Sequence, residues 1–435
     1  MTRTPPRRPA HPALLSLGLA LVAACGPDDL LERKATSSAF APQAAPYSPG
    51  SGLRTGVVSG RIYADLADHA TERLRDLSAL GARLLRVEIE HTTPWRDYRA
   101  IQRAARHAGI DLLALFSINS LWRDWALGRA TASSGALPET GGSRHPYDPL
   151  APSREEYVNQ YLPRAIQAFD RLLAELPGLA FVELWNEPEG FGFAPLATGE
   201  ITCRKVIGGT CVLWRNTCRP QEGAYRYALL VARLYEHVHQ KRLRGEATPQ
   251  LAAFDFSRLD NRCWRSAVFN AEPIGNHRGS YRPAHGLADG LPTDIVSIHA
   301  YGNTARAPWE PGYQFKASTL EDGLADFLRA RFADGRPAIG DRPVWITEVG
   351  YGLNTFTREE RGDLQARALR HAFQTFARYP SVTAAFWYSY RDDEAGPGSE
   401  GHRYGLRYNS ARGFAPHEET YRAFQEVSGI TSAAR

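Results

Sequence analysis

Short apolar runs alternate with amphipathic stretches along most of this chain. Thr55 to Ser59 is the first run. Ala64 to Leu80 then reads as a helix, with Leu66, Leu74, Leu77 and Leu80 on one face and Gly81 to end it. Arg83 to Ile89 and Ile110 to Phe116 are the second and third predicted strands, separated by a helix over Trp95 to His107 that stops at Gly109. The third run is almost wholly apolar, as suits a strand buried on both faces of a parallel sheet. Ser153 and Glu156 make a capping-box pattern for a helix reaching about Leu176. Further strands are predicted at Leu179 to Leu184, Leu251 to Phe256, Asp294 to His299, Pro343 to Thr347 and Val382 to Tyr388. Helices are expected at Gly223 to Arg242, Leu320 to Phe332, Arg358 to Tyr379 and Glu418 to Val427. Eight strands alternating with helices predict an α/β fold, a single (β/α)8 barrel. A doubly wound open sheet is the competitor, and the lack of a Gly-rich phosphate turn after the first strand counts against it.

The first residues follow another pattern. Arg3, Arg7 and Arg8 precede an apolar run, Ala13 to Ala24, that is short for a membrane span. The run ends Val22-Ala23-Ala24-Cys25, which resembles the lipobox of bacterial lipoproteins, where a cysteine is lipidated and becomes the first residue. An ordinary secretory signal with a cysteine by chance at its cleavage site is the alternative. The expected divisions are a signal peptide over 1–24, an Ala/Pro/Ser-rich tether over 25–50 and the barrel over 51–430. This places the protein in a bacterial cell envelope, anchored through Cys25 and facing the periplasm or the exterior.

Composition excludes some partners. Of the formal charge of +5, three charges are Arg3, Arg7 and Arg8, so the chain from Cys25 onward carries +2 and no nucleic acid is expected as a partner. A monomer is expected. Beyond Cys25, four cysteines remain: Cys203, Cys211, Cys218 and Cys263. An even number in an exported chain points to two disulfides, with three connectivities open. A structural zinc is the alternative, but seven and six intervening residues are not the usual ligand spacing.

Two segments carry the candidate chemistry: Trp185-Asn186-Glu187-Pro188 after the fourth strand and Thr347-Glu348-Val349-Gly350 on the seventh. Alone, each glutamate has a bland reading as a strand-end salt bridge or helix cap. A parallel barrel brings them to one face, where one carboxyl acid and one nucleophile about 5 Å apart suffice for retaining glycoside hydrolysis. One of such a pair must stay protonated near neutral pH.

These two motifs, on these two strands, resemble glycoside hydrolase clan A, the retaining (β/α)8 superfamily that includes families 5 and 39. The resemblance spans about 51 to 430. It implies Glu187 as acid/base, Glu348 as nucleophile and Asn186 as a donor to the sugar 2-hydroxyl. It further implies that Tyr301, in Ser297-Ile298-His299-Ala300-Tyr301, touches the nucleophile, and that Trp387 floors the −1 subsite. Arg86 is similar to a clan arginine beside the nucleophile, its alternative being a floor salt bridge with Glu88 or Asp111. His299 is either a substrate-site residue or a rim histidine satisfied by backbone. One departure is visible: the third strand ends Phe116-Ser117-Ile118-Asn119, without the histidine typical of family 5.

Two long loops, Gly190 to Gln221 and Ser257 to Gly290, are expected to rise over the active face, tied by a disulfide from Cys263. Trp122, Trp125, Trp264, Trp309 and Tyr313 are candidate sugar platforms. No His-Glu-x-x-His, phosphate loop or Gly-x-Ser-x-Gly elbow occurs, so no metal or organic cofactor is implied, with calcium left open. The expected function is retaining hydrolysis of a polysaccharide or oligosaccharide. Alternatives are a non-catalytic surface carbohydrate-binding protein on such a barrel, and a transglycosylase using the same residues.

Overall fold

The computed structural model describes residues 52–430, apart from 60–62, 124–148, 151, 190–192, 194–202, 208–209, 214–220, 258, 260–261, 275–289, 302–316, 352–360, 393–402 and 410–412. Eight parallel strands close into a barrel: β1 (Arg54–Val58), β2 (Leu84–Glu88), β3 (Asp111–Phe116), β4 (Phe181–Leu184), β7 (Gln250–Phe256), β8 (Ile295–His299), β9 (Val344–Val349) and β10 (Val382–Trp387). Between β4 and β7, β5 (Cys203–Ile207) and β6 (Thr210–Leu213) form an antiparallel hairpin outside the barrel. Predicted strands five to eight are therefore β7 to β10.

Strand alternation sorts the barrel into two cores. Leu84, Leu113, Phe181, Ala252, Ile295, Trp345, Ala384 and Phe386 point inward and plug the interior. Gly56 is required there, because a Cβ would lie 2.5 Å from the Phe386 ring. Val57, Leu85, Ala114, Val182, Val296 and Ile346 point outward into a larger core shared with the helices. Toward the C-terminal strand ends the inward positions turn polar, at Arg86, Glu183, Asp255, Ser297, His299, Thr347 and Glu348, all buried. The apolar plug thus seals one end, and the other is built for chemistry.

Local signals act where they were expected. Ser153 and Glu156 form both bonds of the capping box, and Gly109 ends the helix Trp95–Ala108 in the left-handed conformation, φ 70°. Three features are not foreshadowed. The first predicted helix is two, Tyr63–Asp68 and Ala70–Ala79, parted at His69. The helix after Ser153 contains a π turn, Tyr157–Tyr161, ahead of Leu162–Glu175. Arg262–Phe269 is helical inside a predicted loop. The closing helix Glu418–Val427 is fastened back to the first helices through Asp76, which accepts bonds from Arg407 Nε at 2.7 Å and from the hydroxyls of Tyr390 and Tyr421 at 2.8 Å each.

No helix among the described residues is long and apolar enough to cross a membrane. The signal and tether segments, with Cys25, lie outside the described residues, as do Cys218, Trp125, Trp309 and Tyr313. The side chains of Cys203, Cys211 and Cys263 are likewise not described.

Candidate active site

Four strand ends supply the site. On β2, Leu84 and Arg86 share the inward phase, and Arg86 is 3% exposed. Its guanidinium donates Nε to Glu183 and Nη1 to Glu348. Nη2 donates to Asn186 Oδ1 at 2.8 Å and lies 3.7 Å from Asp255. Neither Glu88 nor Asp111 pairs with it, and Asp111 bonds Arg54 instead. Because a guanidinium only donates, the contact fixes the Asn186 amide with its NH2 group turned away, free to donate elsewhere.

Just beyond β4 the backbone takes two conformations that L-residues rarely adopt: Trp185 at φ 79° and Glu187 at φ 44°. Each costs on the order of 1–3 kcal/mol and persists only where packing over-determines it. Here Trp185 is 1% exposed, packs at 4.8 Å on the Phe193 ring and donates its amide to Phe116 O at 2.7 Å. Strain of this kind clusters at functional positions, and here it lies beside the Glu187 carboxyl at the end of β4.

Two of these groups meet at one ring. His299 Nδ1 on β8 lies 2.9 Å from Glu187 Oε1 and 3.6 Å from Glu348 Oε2. The ligating atoms of Glu187, His299 and Glu348 all fall within 4.8 Å of one another, so the two carboxylates face each other across a short gap. Tyr301 donates its hydroxyl to Glu348 Oε2 at 2.7 Å. Burial works to raise the Glu348 carboxyl, but His299, Arg86 and the Tyr301 hydroxyl outweigh it and hold it below the ordinary carboxylate value. Burial pushes the imidazole of His299 down, and the two facing carboxylates overcome that and raise it. His299 thus sits between the two glutamates, in contact with Glu187 rather than with backbone.

Trp387 takes a different place from the one expected of it. Phe386 points into the barrel, so strand alternation turns Trp387 outward into the helix-side core, where it is fully buried. Its indole N–H donates to Tyr404 O at 3.0 Å. The aromatic that shares the inward phase is Tyr388, half-buried against the barrel plug. Trp122 and Trp264 are also buried, at 7% and 1%, and present no open face for a sugar.

Sequence reasoning passed over Glu183 and Asp255, both fully buried. A signal existed for Glu183: a lone charge at the inward phase of an apolar strand. Asp255 was hidden by a bulge, because Phe254 at φ 80° shifts the β7 register between Ala253 and Phe256. Burial and the nearby Glu183 push the Asp255 carboxyl well up. Two donor trios could hold a cation, Glu183/Asp255/His299 and Glu187/His299/Glu348, although Arg86 already brings positive charge to Glu183 and Glu348.

No protein-family model matches the chain, and no curated protein matches it. Solved structures do. A family 39 glycoside hydrolase from Bacteroides cellulosilyticus is 16% identical over 87% of this chain, TM-score 0.48, and the chain spans only 64% of that protein. A GH5_18 from Bifidobacterium longum subsp. infantis is 16% identical over 88% of this chain and 80% of its own, TM-score 0.53. A β-glucosidase from Exiguobacterium marinum is 14% identical over 88% and 99%, TM-score 0.51. At such identities the likeness to the latter two supports the (β/α)8 fold and nothing finer.

Proposed function

We propose that this protein is a retaining O-glycoside hydrolase acting on a polysaccharide or oligosaccharide. The observation that carries the reading is the pair Glu187 and Glu348, with facing oxygens within 4.8 Å at the C-terminal end of a (β/α)8 barrel. Retaining enzymes hold their carboxyls about 5–5.5 Å apart, whereas inverting ones leave about 6.5–9.5 Å for a water.

Roles follow from the surroundings. Glu348 is the nucleophile, because Arg86, Tyr301 and His299 all favour its charged form. Its oxygen bonds the anomeric carbon as the glycosidic C–O bond breaks, and Glu187 gives its proton to the leaving oxygen. Glu187 then takes a proton from water, whose oxygen displaces the Glu348 ester with overall retention. Asn186, its amide fixed by Arg86, donates to a hydroxyl of the bound sugar. Glu348→Ala and Glu187→Ala should each lose most of kcat, and azide should rescue the former with inverted product. Binding of saccharides by the wild type without Glu348-dependent cleavage would overturn this assignment in favour of a carbohydrate-binding protein. The chain is further proposed to be exported and lipid-anchored at Cys25. Membrane fractionation of a Cys25→Ala variant checks that, with release into the soluble fraction expected.

A further inference from the structure

We infer that Glu88 is a recognition carboxylate for the glycone, selecting a sugar that presents hydroxyl donors and excluding uronic acids; this rests on the hydrolase reading above. Leu84, Arg86 and Glu88 share the inward phase of β2. Arg86 already bonds Glu348 and Asn186, so Glu88 stands two residues, about 6.6 Å, nearer the mouth above them. Ser117 Oγ and Asn119 Nδ2, at the end of β3, both donate to the same oxygen, Glu88 Oε1, at 3.0 and 2.8 Å. These are the residues standing where family 5 members carry a histidine.

The holding is specific in its chemistry. Both donors are neutral, and among the described residues Glu88 makes no ion pair. Among the described residues, this half-buried carboxylate is thus fixed in place with one oxygen engaged by two neutral donors and the other accepting no bond. Such a group accepts hydroxyl hydrogens strongly. It repels a sugar carboxylate brought close to it, in a site where Glu348 is also anionic.

The test uses wild type, Glu88→Ala, Glu88→Gln, Asn119→Asp and Glu348→Ala on both anomers of 4-nitrophenyl glucoside, galactoside, mannoside, xyloside and glucuronide, with neutral and uronic oligosaccharides alongside. Expected are Glu348-dependent cleavage of a neutral member and at least 100-fold weaker cleavage of its uronic counterpart. Glu88→Ala should lose at least 10-fold in kcat/KM, mostly through KM. Glu88→Gln should recover part of that loss and narrow the gap to the uronic substrate. Asn119→Asp, which sets a like charge beside Glu88, should also raise KM and covers the case in which Glu88→Ala does not fold. A preferred uronic substrate, or Glu88 and Asn119 variants all within twofold of wild type, overturns the inference while leaving the hydrolase reading intact. Absence of any Glu348-dependent cleavage instead overturns the hydrolase reading, and this inference with it.

Discussion

Tyr301→Phe isolates one contact of the proposed nucleophile. The change removes a hydroxyl that donates to Glu348 Oε2 at 2.7 Å and keeps the ring, which meets His299 edge-on at 6.1 Å. A hydrogen bond to a charged group contributes roughly 1.5–3 kcal/mol, and the variant withdraws that support from the charged form of Glu348. Arg86 and His299 remain, and burial, the largest opposing influence, is unchanged. The Glu348 carboxyl should therefore rise. The proposed mechanism needs it ionised, so the acid limb of kcat/KM, which reports the free enzyme, should move to higher pH. Loss at neutral pH should be modest, and it should grow toward about tenfold, the equivalent of the low end of that hydrogen-bond range, as pH falls below the 4.5 of an unperturbed glutamate. Stability moves with the same sign. In the wild type the lowered carboxyl adds stability above its unfolded value of 4.5 and loses it as pH falls through the folded value. The variant should lose less on acidification. The assay is a pH–rate profile on the best substrate found, with circular dichroism to confirm folding. An unchanged limb, or one displaced to lower pH, refutes the reasoning.

Asp255→Asn should keep kcat/KM within about threefold and leave the pH profile in place, since burial pushes this carboxyl well up and favours its uncharged form; a loss of 100-fold would show that the ionised form is needed. Asp76→Ala should cost about 2–3 kcal/mol in urea unfolding at neutral pH, from the loss of the bonds to Arg407, Tyr390 and Tyr421. Burial would raise Asp76, but Arg407 and the two tyrosines hold it below 3.8, so this stability is complete above about pH 4 and lost in acid, and the variant should be flatter there. Non-reducing peptide mapping should show no Cys203–Cys211 bridge: the hairpin register opposes Cys203 to Leu213 and Cys211 to Val206. That leaves the two on a diagonal of about 7–8 Å, beyond disulfide reach.

The barrel was legible because its strands are buried on both faces. Runs such as Leu112 to Phe116 announce themselves by continuous apolarity, and Gly109 and the Ser153/Glu156 pair punctuate the helices beside them. The same property hid the facing of strand ends. In a run such as Ala385-Phe386-Trp387-Tyr388, composition does not say which aromatic looks inward, and an error of one residue exchanges Trp387 for Tyr388. The bulge at Phe254 likewise aims Asp255 by backbone geometry that residue types do not encode. Glu187 and Glu348 escaped this ambiguity because their assignment rested on strand number and depth, which a closed parallel barrel converts into one shared face.

Beneath that face Glu183, Asp255 and His299 are fully buried, and Arg86 and Glu348 nearly so. Several like charges cannot stay there together without paired cations. The network sorts them: Asp255 is pushed up, Glu348 is held down and His299 is raised between Glu348 and Glu187. In the proposed mechanism, forming the glycosyl-enzyme would turn Glu348 into a neutral ester and remove the carboxylate that most strongly raises His299. At that moment Glu187 has just given up its proton. The imidazole, 2.9 Å from Glu187 Oε1, then faces an anion on that side only. The contact from the imidazole then holds in place the carboxylate that next takes a proton from water. One buried histidine, nearer Glu187 than Glu348, would thus orient the acid/base through both halves of the proposed reaction.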